Sequence, residues 1–434
     1  MKAGKSKGKG ILSFQGEQIF MGKNRYLTAQ EAATELGISL DTLYAYVSRG
    51  LIRSEASDGQ KRSRWYPLED VQRLKKHKGE FRHPDKVAAG AMQAGAPVME
   101  SAITMITDDR FYYRGHDALT LATTHSVEQV AALIWTGDFS AEQSLFSRTL
   151  PERMLARYQK ICSYLIELTP LEAFQVCLPL AALDDIAAYD LRAEAVAQTG
   201  ARILQLLAVV AAGGQYTMHG IAQTVQRGWV PHDERAAALL TAALILCADQ
   251  ELNVTTFTAR CVASAGSTPY AVVCSGLSAL QGIKHAGQTE RIEAFLRETG
   301  SPANVRSSMT SLLKRGEPIP GFGEVVPGFG SVFYPVGDPR GKLLLELTAQ
   351  VYPQSPAVLL VQRVTEETNN LLGERPTIFL GLVTLARALN LPPGGAIALF
   401  ALGRTIGWIG HCIEQYQANQ VIRPRARYIG PPPQ

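Results

Sequence analysis

From about Lys86 to the C-terminus the chain is almost wholly Ala-, Leu- and Val-rich, with apolar residues recurring at helical intervals. No series of strands at regular spacing interrupts that rhythm. A body of this kind within 434 residues buries a large core only by stacking helix on helix. The expected class is therefore all-α. Ser126-Val127-Glu128-Gln129 has the form of a capping box, and Val130, Leu133 and Ile134 follow at helical spacing. One long irregular segment breaks the pattern, Arg315 to Lys342. It holds PGFG twice (Pro320–Gly323 and Pro327–Gly330) and then Asp338-Pro339-Arg340. Gly/Pro-rich loops inside a helical body are where binding residues gather.

The front of the chain differs in charge and in pattern. Residues 1–86 carry 17 lysines and arginines against 10 acidic residues, a balance of +7, while the remainder stands at −3. A basic head on a slightly acidic body is the asymmetry expected when the head alone meets a polyanion. Residues 1–24 are rich in Gly and Lys, lack periodicity and read as a flexible basic arm. Thr28-Ala29-Gln30-Glu31 forms a second capping box, opening a helix that ends at Leu36-Gly37. Ser39 caps a further helix to about Ser48. Asp58-Gly59 predicts a hairpin turn, and Pro67 is expected to start a last helix.

Bulk properties narrow the setting. No uninterrupted apolar run approaches the ~20 residues that span a bilayer, and the N-terminus lacks a signal-peptide core. A cytoplasmic protein with no membrane partner is the expectation. The six cysteines (Cys162, Cys177, Cys247, Cys261, Cys274 and Cys412) include no CxxC pair. They read as reduced, buried thiols, with no metal site.

Residues 25–80, with YLTAQEAATELGISLDTLYAYVSRGLI followed by RSRWYPLEDVQRL, resemble the winged helix-turn-helix of MerR-type regulators and excisionases. The resemblance implies that the helix near Leu40–Val47 enters a DNA major groove. Arg49, Arg53, Lys61, Arg62 and Arg64 would then lie near phosphates, with Tyr44 and Tyr46 near the backbone. Leu43 and Val47 are more simply core. The alternative is a small helical module for protein contacts, its basic residues merely solvated.

The body resembles citrate synthase from about Gly115 to Pro431. The carriers are YRGHDALTLA with SVEQVAALIWTG, ADQELNVTTFTARCVAS, PGFGSVFYPVGDPR, ALFALGRTIGWIGHCIEQ and IRPRARYIGP, all in the family's order. Front modules of this kind also occur on some bacterial members. The resemblance implies the all-α citrate synthase fold in an intertwined homodimer. The large domain would comprise residues 87–285 plus 380–434, and a small domain at 286–379 would close over the ligand. It also implies a reaction in which a carboxylate deprotonates an acyl-CoA, acetyl-CoA or propionyl-CoA being the candidates. One histidine holds the thioester oxygen, another polarises the ketone of oxaloacetate, and arginines clamp the carboxylates.

Carried over by residue, the resemblance is uneven. His285 stands at the thioester histidine, and Arg340, Arg404 and Arg423 stand at the anion clamp. The ketone-polarising histidine falls on Ser331, and the substrate-binding histidine of the Ala-Asp-His run falls on Gln250. The catalytic aspartate falls on Phe379, in PTIFLGLVTLARAL, and the nearest carboxylate is Glu374. A positioned acid or base contributes ~10²–10⁴-fold, and a phenyl ring cannot accept a proton. The expected function is binding of an oxaloacetate- or citrate-like ligand and an acyl-CoA, with condensation weak or lost, coupled to DNA binding by the front module. No bound cofactor is implied. Two alternatives stay open: an active citrate or 2-methylcitrate synthase whose base has moved, and a non-catalytic subunit of an active citrate synthase paralogue.

Overall fold

The structure is a computed structural model; it describes residues 26–48, 52–56, 64–68, 70–71, 99–147, 149–165, 167–214, 220–283, 285, 287–317, 334 and 336–433. These fall into two compact units, one within residues 26–71 and one within 99–433.

In the front unit β1 (Tyr26–Thr28) leads into α1 (Ala29–Leu36), α2 (Leu40–Ser48), β2 (Glu55–Ala56) and β3 (Arg64–Pro67). The capping box forms as its spacing requires. The Thr28 hydroxyl accepts from the Glu31 amide at 3.3 Å, and the Glu31 carboxylate accepts from the Thr28 amide at 2.8 Å. Gly37 ends α1 with φ +59°, a conformation that costs a side-chain-bearing residue more than glycine. The Ser39 hydroxyl accepts from the Thr42 amide at 3.2 Å and starts α2. The antiparallel sheet runs β1-β3-β2. Leu43, Ile52, Tyr66 and Val71 close its core with α1. Pro67 ends β3 opposite Tyr26, where its missing N–H is tolerated, and the expected helix follows at once, with Leu68, Asp70 and Val71 helical. The arm, the Asp58-Gly59 turn and Arg49, Lys61 and Arg62 lie outside the described residues.

The body opens on a departure from the all-helical expectation. Strands β4 (Thr104–Ile106), β5 (Phe111–Tyr113) and β6 (His116–Asp117) form a small antiparallel sheet. Strands of two or three residues leave no alternation for a periodicity argument to detect. Helices follow without further strands among the described residues. They are α3 (Ala118–Thr124), α4 (Val127–Thr136), α5 (Glu142–Leu145), α6 (Glu152–Leu165), α7 (Pro170–Ala182) and α8 (Ala193–Ala211). Next come α9 (Ile221–Trp229), α10 (Ala236–Leu246), α11 (Val254–Ser264) and α12 (Pro269–Leu280). The series ends with α13 (Gly287–Thr299), α14 (Val305–Lys314), α15 (Pro339–Val351), α16 (Pro356–Leu372), α17 (Ile378–Ala388) and α18 (Gly395–Ala418). The box at Ser126 caps α4 reciprocally with Gln129.

Helix α18 is the axis of the body. It is long and apolar enough to cross a membrane by length and composition, yet its apolar window is wholly buried by protein. It packs against α8, α10, α11 and α12, and α17 lies against it from a second helical group made of α13 to α17. The expected small-domain boundary at 379/380 falls inside the first turn of α17, which packs on both groups. Two glycines allow the closest approach. A Cβ on Gly403 would stand 2.5 Å from the Leu244 carbonyl, and one on Gly407 would stand 2.4 Å from that of Ala248. The Gly407 amide donates to that Ala248 oxygen at 2.9 Å. Gly407→Ala is expected to cost about 3 kcal/mol, from overpacking against rigid backbone, as urea unfolding of the full chain will show.

All six cysteines are free. Cys177, Cys247 and Cys412 are buried, and the other three are half-buried.

Candidate functional site

Helix α18 carries a stripe of side chains at helical spacing, Phe400, Arg404, His411 and Gln415, on an otherwise apolar cylinder. Arg404 is fully buried, and none of its guanidinium nitrogens makes a hydrogen bond among the described residues. Its nearest carboxylate oxygen, on Asp249, stands 3.8 Å away. Burial pushes Arg404 below its ordinary range, with Asp249 first among the neighbours that pull the other way. A buried cation without hydrogen bonds is costly, and an anion is the chemistry that would satisfy it.

Phe400 is the shared wall of the site. The Arg404 guanidinium lies 5.0 Å from its ring centre, the His285 ring 6.3 Å and the Phe379 ring 5.2 Å. His285 follows α12 in a tight turn, its amide bonded to the Gly282 carbonyl. Burial, then the Arg404 charge, push His285 down to about 4. Its imidazole is therefore neutral across the physiological range and suited to hydrogen bonding rather than to carrying charge. Phe379, in the first turn of α17, sets its ring against that of Phe400.

Arg340 enters from the start of α15. Asp338 caps that helix, accepting from the Arg340 amide at 3.0 Å, and its carboxylate grips the guanidinium through Nε and Nη2, both at 2.9 Å. The remaining Nη1 donates to Gln250 Oε1 at 2.6 Å. The Tyr334 ring lies 5.5 Å from the guanidinium and the Phe111 ring 5.9 Å. Arg340 and Gln250, each expected to bind substrate, thus meet each other directly.

Behind Arg404 lies a network that the motifs did not single out. Asp249, fully buried, accepts from the Thr104 hydroxyl at 2.6 Å and the Glu251 amide at 3.1 Å, and contacts His411 Nε2 at 3.4 Å. Burial opposes the charge of Asp249, but His411, Arg404 and the Thr104 bond hold its carboxyl below the usual range. The Tyr113 hydroxyl clamps the same turn, donating to the Ile245 and Asp249 carbonyls and accepting from the Asp249 amide. A signal was available: His411 follows Arg404 by seven residues, hence on one face of one helix.

The remaining expected positions are placed unevenly. Ser331 and both PGFG copies lie outside the described residues. Arg423 is exposed in the extended tail after α18. In the front unit Tyr44 and Arg64 are exposed, and Arg64 Nη1 donates to the Ser54 hydroxyl at 2.8 Å. Arg53, expected near phosphates, instead directs its amide, Nε and Nη2 to the buried Asp70 carboxylate at 3.0, 2.9 and 3.1 Å. Tyr46 packs against the module core. No group of three or more metal-ligating side chains occurs among the described residues.

Comparison with known proteins agrees with this architecture. The family profile "Citrate synthase, C-terminal domain" matches residues 91–425, and a helix-turn-helix domain profile matches residues 26–78. Citrate synthase 2 of Bacillus subtilis is 27% identical over 363 residues, 78% of this chain and 95% of that protein. The 2-methylcitrate synthase of Mycobacterium tuberculosis is 28% identical over 361 residues, 78% and 89% of the two chains. The crystal structure of Thermotoga maritima citrate synthase superposes with a TM-score of 0.64 at 25% identity, covering 78% of this chain and 94% of that one. A Thermoplasma acidophilum citrate synthase, in ternary complex with carboxymethyl coenzyme A and oxaloacetate, shares the fold with a TM-score of 0.64 at 19% identity, covering 79% and 96%. The chain belongs to the citrate synthase family, with a helix-turn-helix domain at its front.

Proposed function

We propose that this protein binds a di- or tricarboxylate of the oxaloacetate or citrate type, with an acyl-CoA as second ligand, and condenses them weakly or not at all. Ligand binding then alters DNA recognition by the front module, and a homodimeric body presents two modules to paired half-sites. One observation carries the reading. Arg404 is a fully buried cation without hydrogen bonds among the described residues, and it shares the wall formed by Phe400 with a phenyl ring at the position the resemblance gives to the base. Among the described residues the site offers a guanidinium free of hydrogen bonds and, at position 379, a phenyl ring in place of a carboxylate.

Thermal unfolding of the full chain with citrate or oxaloacetate tests the binding half. A ligand at a hundred times its Kd adds about 2.7 kcal/mol. CoA release from acetyl- and propionyl-CoA with oxaloacetate tests the chemical half. Steady turnover at ordinary enzyme rates would establish instead an active citrate or 2-methylcitrate synthase, the activities named for the relatives. Capture of genomic fragments with and without citrate tests the regulatory half, and recovery of no specific fragment in either condition would sink it.

Two arginines of the module separate surface from scaffold. Arg64→Ala is expected to weaken DNA binding and lower the slope of log affinity against log salt by about 1, leaving the fold intact. Arg53→Ala removes the guanidinium bonds to the buried Asp70 while its own amide still donates there, and is expected to destabilise the module by about 1–3 kcal/mol. Salt-titrated binding and thermal melts on the two variants check this contrast.

A further inference from the structure

The segment by which the chain joins the body runs through Glu100, Ala102 and Thr104, and these alternate residues meet one buried polar cluster. The Glu100 carbonyl accepts from Arg260 Nη1 at 3.3 Å. The Ala102 amide donates to Glu414 Oε1 at 2.9 Å. The Thr104 hydroxyl donates to Asp249 Oδ2 at 2.6 Å. The three recipients are themselves joined. Arg260 Nη1 lies 3.2 Å from Glu414 Oε2 and 3.3 Å from His411 Nδ1, and Arg260 Nε donates to Gln415 Oε1 at 3.0 Å. His411 Nε2 lies 3.4 Å from Asp249, and Asp249 faces Arg404 at 3.8 Å. A guanidinium has no acceptor, so His411 Nδ1 accepts from Arg260 and the ring turns its Nε2–H toward Asp249. Donation therefore runs from Arg260 both to the Glu100 carbonyl and, through His411, to Asp249 beside the anion site.

We propose that Asp249, His411, Arg260 and Glu414 are positioning residues that tie occupancy of the Arg404 site to residues 100–104, the stretch that continues N-terminally toward the front module. This rests on the carboxylate-binding reading above. Among the described residues Arg404 has Asp249 as its near anion and no hydrogen bond to hold it there. An incoming carboxylate takes hydrogen bonds from the guanidinium and weakens its pull on Asp249. The Asp249 carboxylate then tightens on Thr104 and His411, and the shift passes to Arg260 and Glu414. Low local dielectric makes each of these charge-assisted contacts sensitive to the next. A two-state element that both ends bias is what separates such a link from mere adjacency.

Hydrogen–deuterium exchange of the full-length protein with and without citrate, together with calorimetric titration of citrate, tests the link. In the wild type, citrate is expected to slow exchange in peptides covering residues 99–106 by about 10-fold. Glu414→Gln keeps the side-chain shape and lies outside the anion site. It should bind citrate within about 3-fold of the wild type while losing that protection. Thr104→Val cuts the link at Asp249 by a second route, predicts the same result and stands in if Glu414→Gln fails to fold. Equal protection in wild type and variants overturns the proposal. So does measurable citrate heat in the wild type without any protection at 99–106, which leaves the carboxylate-binding reading standing. Absence of citrate heat in the wild type overturns that reading and the link together.

Discussion

Phe379→Asp combined with Ser331→His will raise CoA release from acetyl-CoA and oxaloacetate at least about 10²-fold over the wild type, whose own release will lie near background. The argument is local. Phe379 stands in the first turn of α17 with its ring 5.2 Å from that of Phe400, and His285 contacts Phe400 from another side. A carboxylate introduced there inherits a partly apolar pocket, which raises its pKa toward the working range of a base. Phe379→Asp alone will recover less, because the ketone still lacks its histidine and groups acting as a unit do not contribute independently. The exchange removes a packed ring, so a loss of about 1–3 kcal/mol in stability is expected and thermal melts must accompany the kinetics. Wild-type turnover at about 1 s⁻¹ or faster would show that another group supplies the base.

Arg404→Met will lower citrate affinity by about 100-fold or more, roughly 2.7 kcal/mol, and abolish citrate-dependent thermal stabilisation. Arg404→Lys will recover only part of this, because an ammonium keeps the charge but not the planar fork that grips a carboxylate. Stability without ligand should move differently. Met fills much of the same volume and removes a buried cation that makes no hydrogen bond, while Asp249 keeps Thr104, the Glu251 amide and His411. The unliganded melting temperature will therefore hold or rise. Calorimetric titration and melts of the same preparations check both parts. Affinity within about 3-fold of the wild type would place the anion away from Arg404.

Local features were legible where their causes are local. The capping boxes at Thr28 and Ser126 and the left-handed Gly37 need only a few neighbouring residues, and all form. Long collinear motifs carried the family and marked Gln250, Arg340 and Arg404. The small sheet at residues 104–117 escaped notice because its strands are too short to show a period. The opposite roles of Arg53 and Arg64 were hidden as well. Whether an arginine reaches outward or is clamped by a carboxylate seventeen residues away depends on how the module closes.

The sequence by itself determined the helical body, the capped front module, the family and the phenyl side chain at position 379. Each follows from residue identity, spacing or order along the chain. Only the tertiary structure decided that Phe400 gathers Arg404, His285 and Phe379 around one ring. The same holds for the joining of Asp249, His411, Arg260 and Glu414 behind Arg404, and for the meeting of Arg340 with Gln250. Those groups lie 90 to 155 residues apart in several cases. They meet because Gly403 and Gly407 let α18 approach the backbone after α10 closely enough to seal Asp249 and Arg404 away from water. Burial then gives a bare arginine its electrostatic force, and burial is a property of the packed whole rather than of any segment.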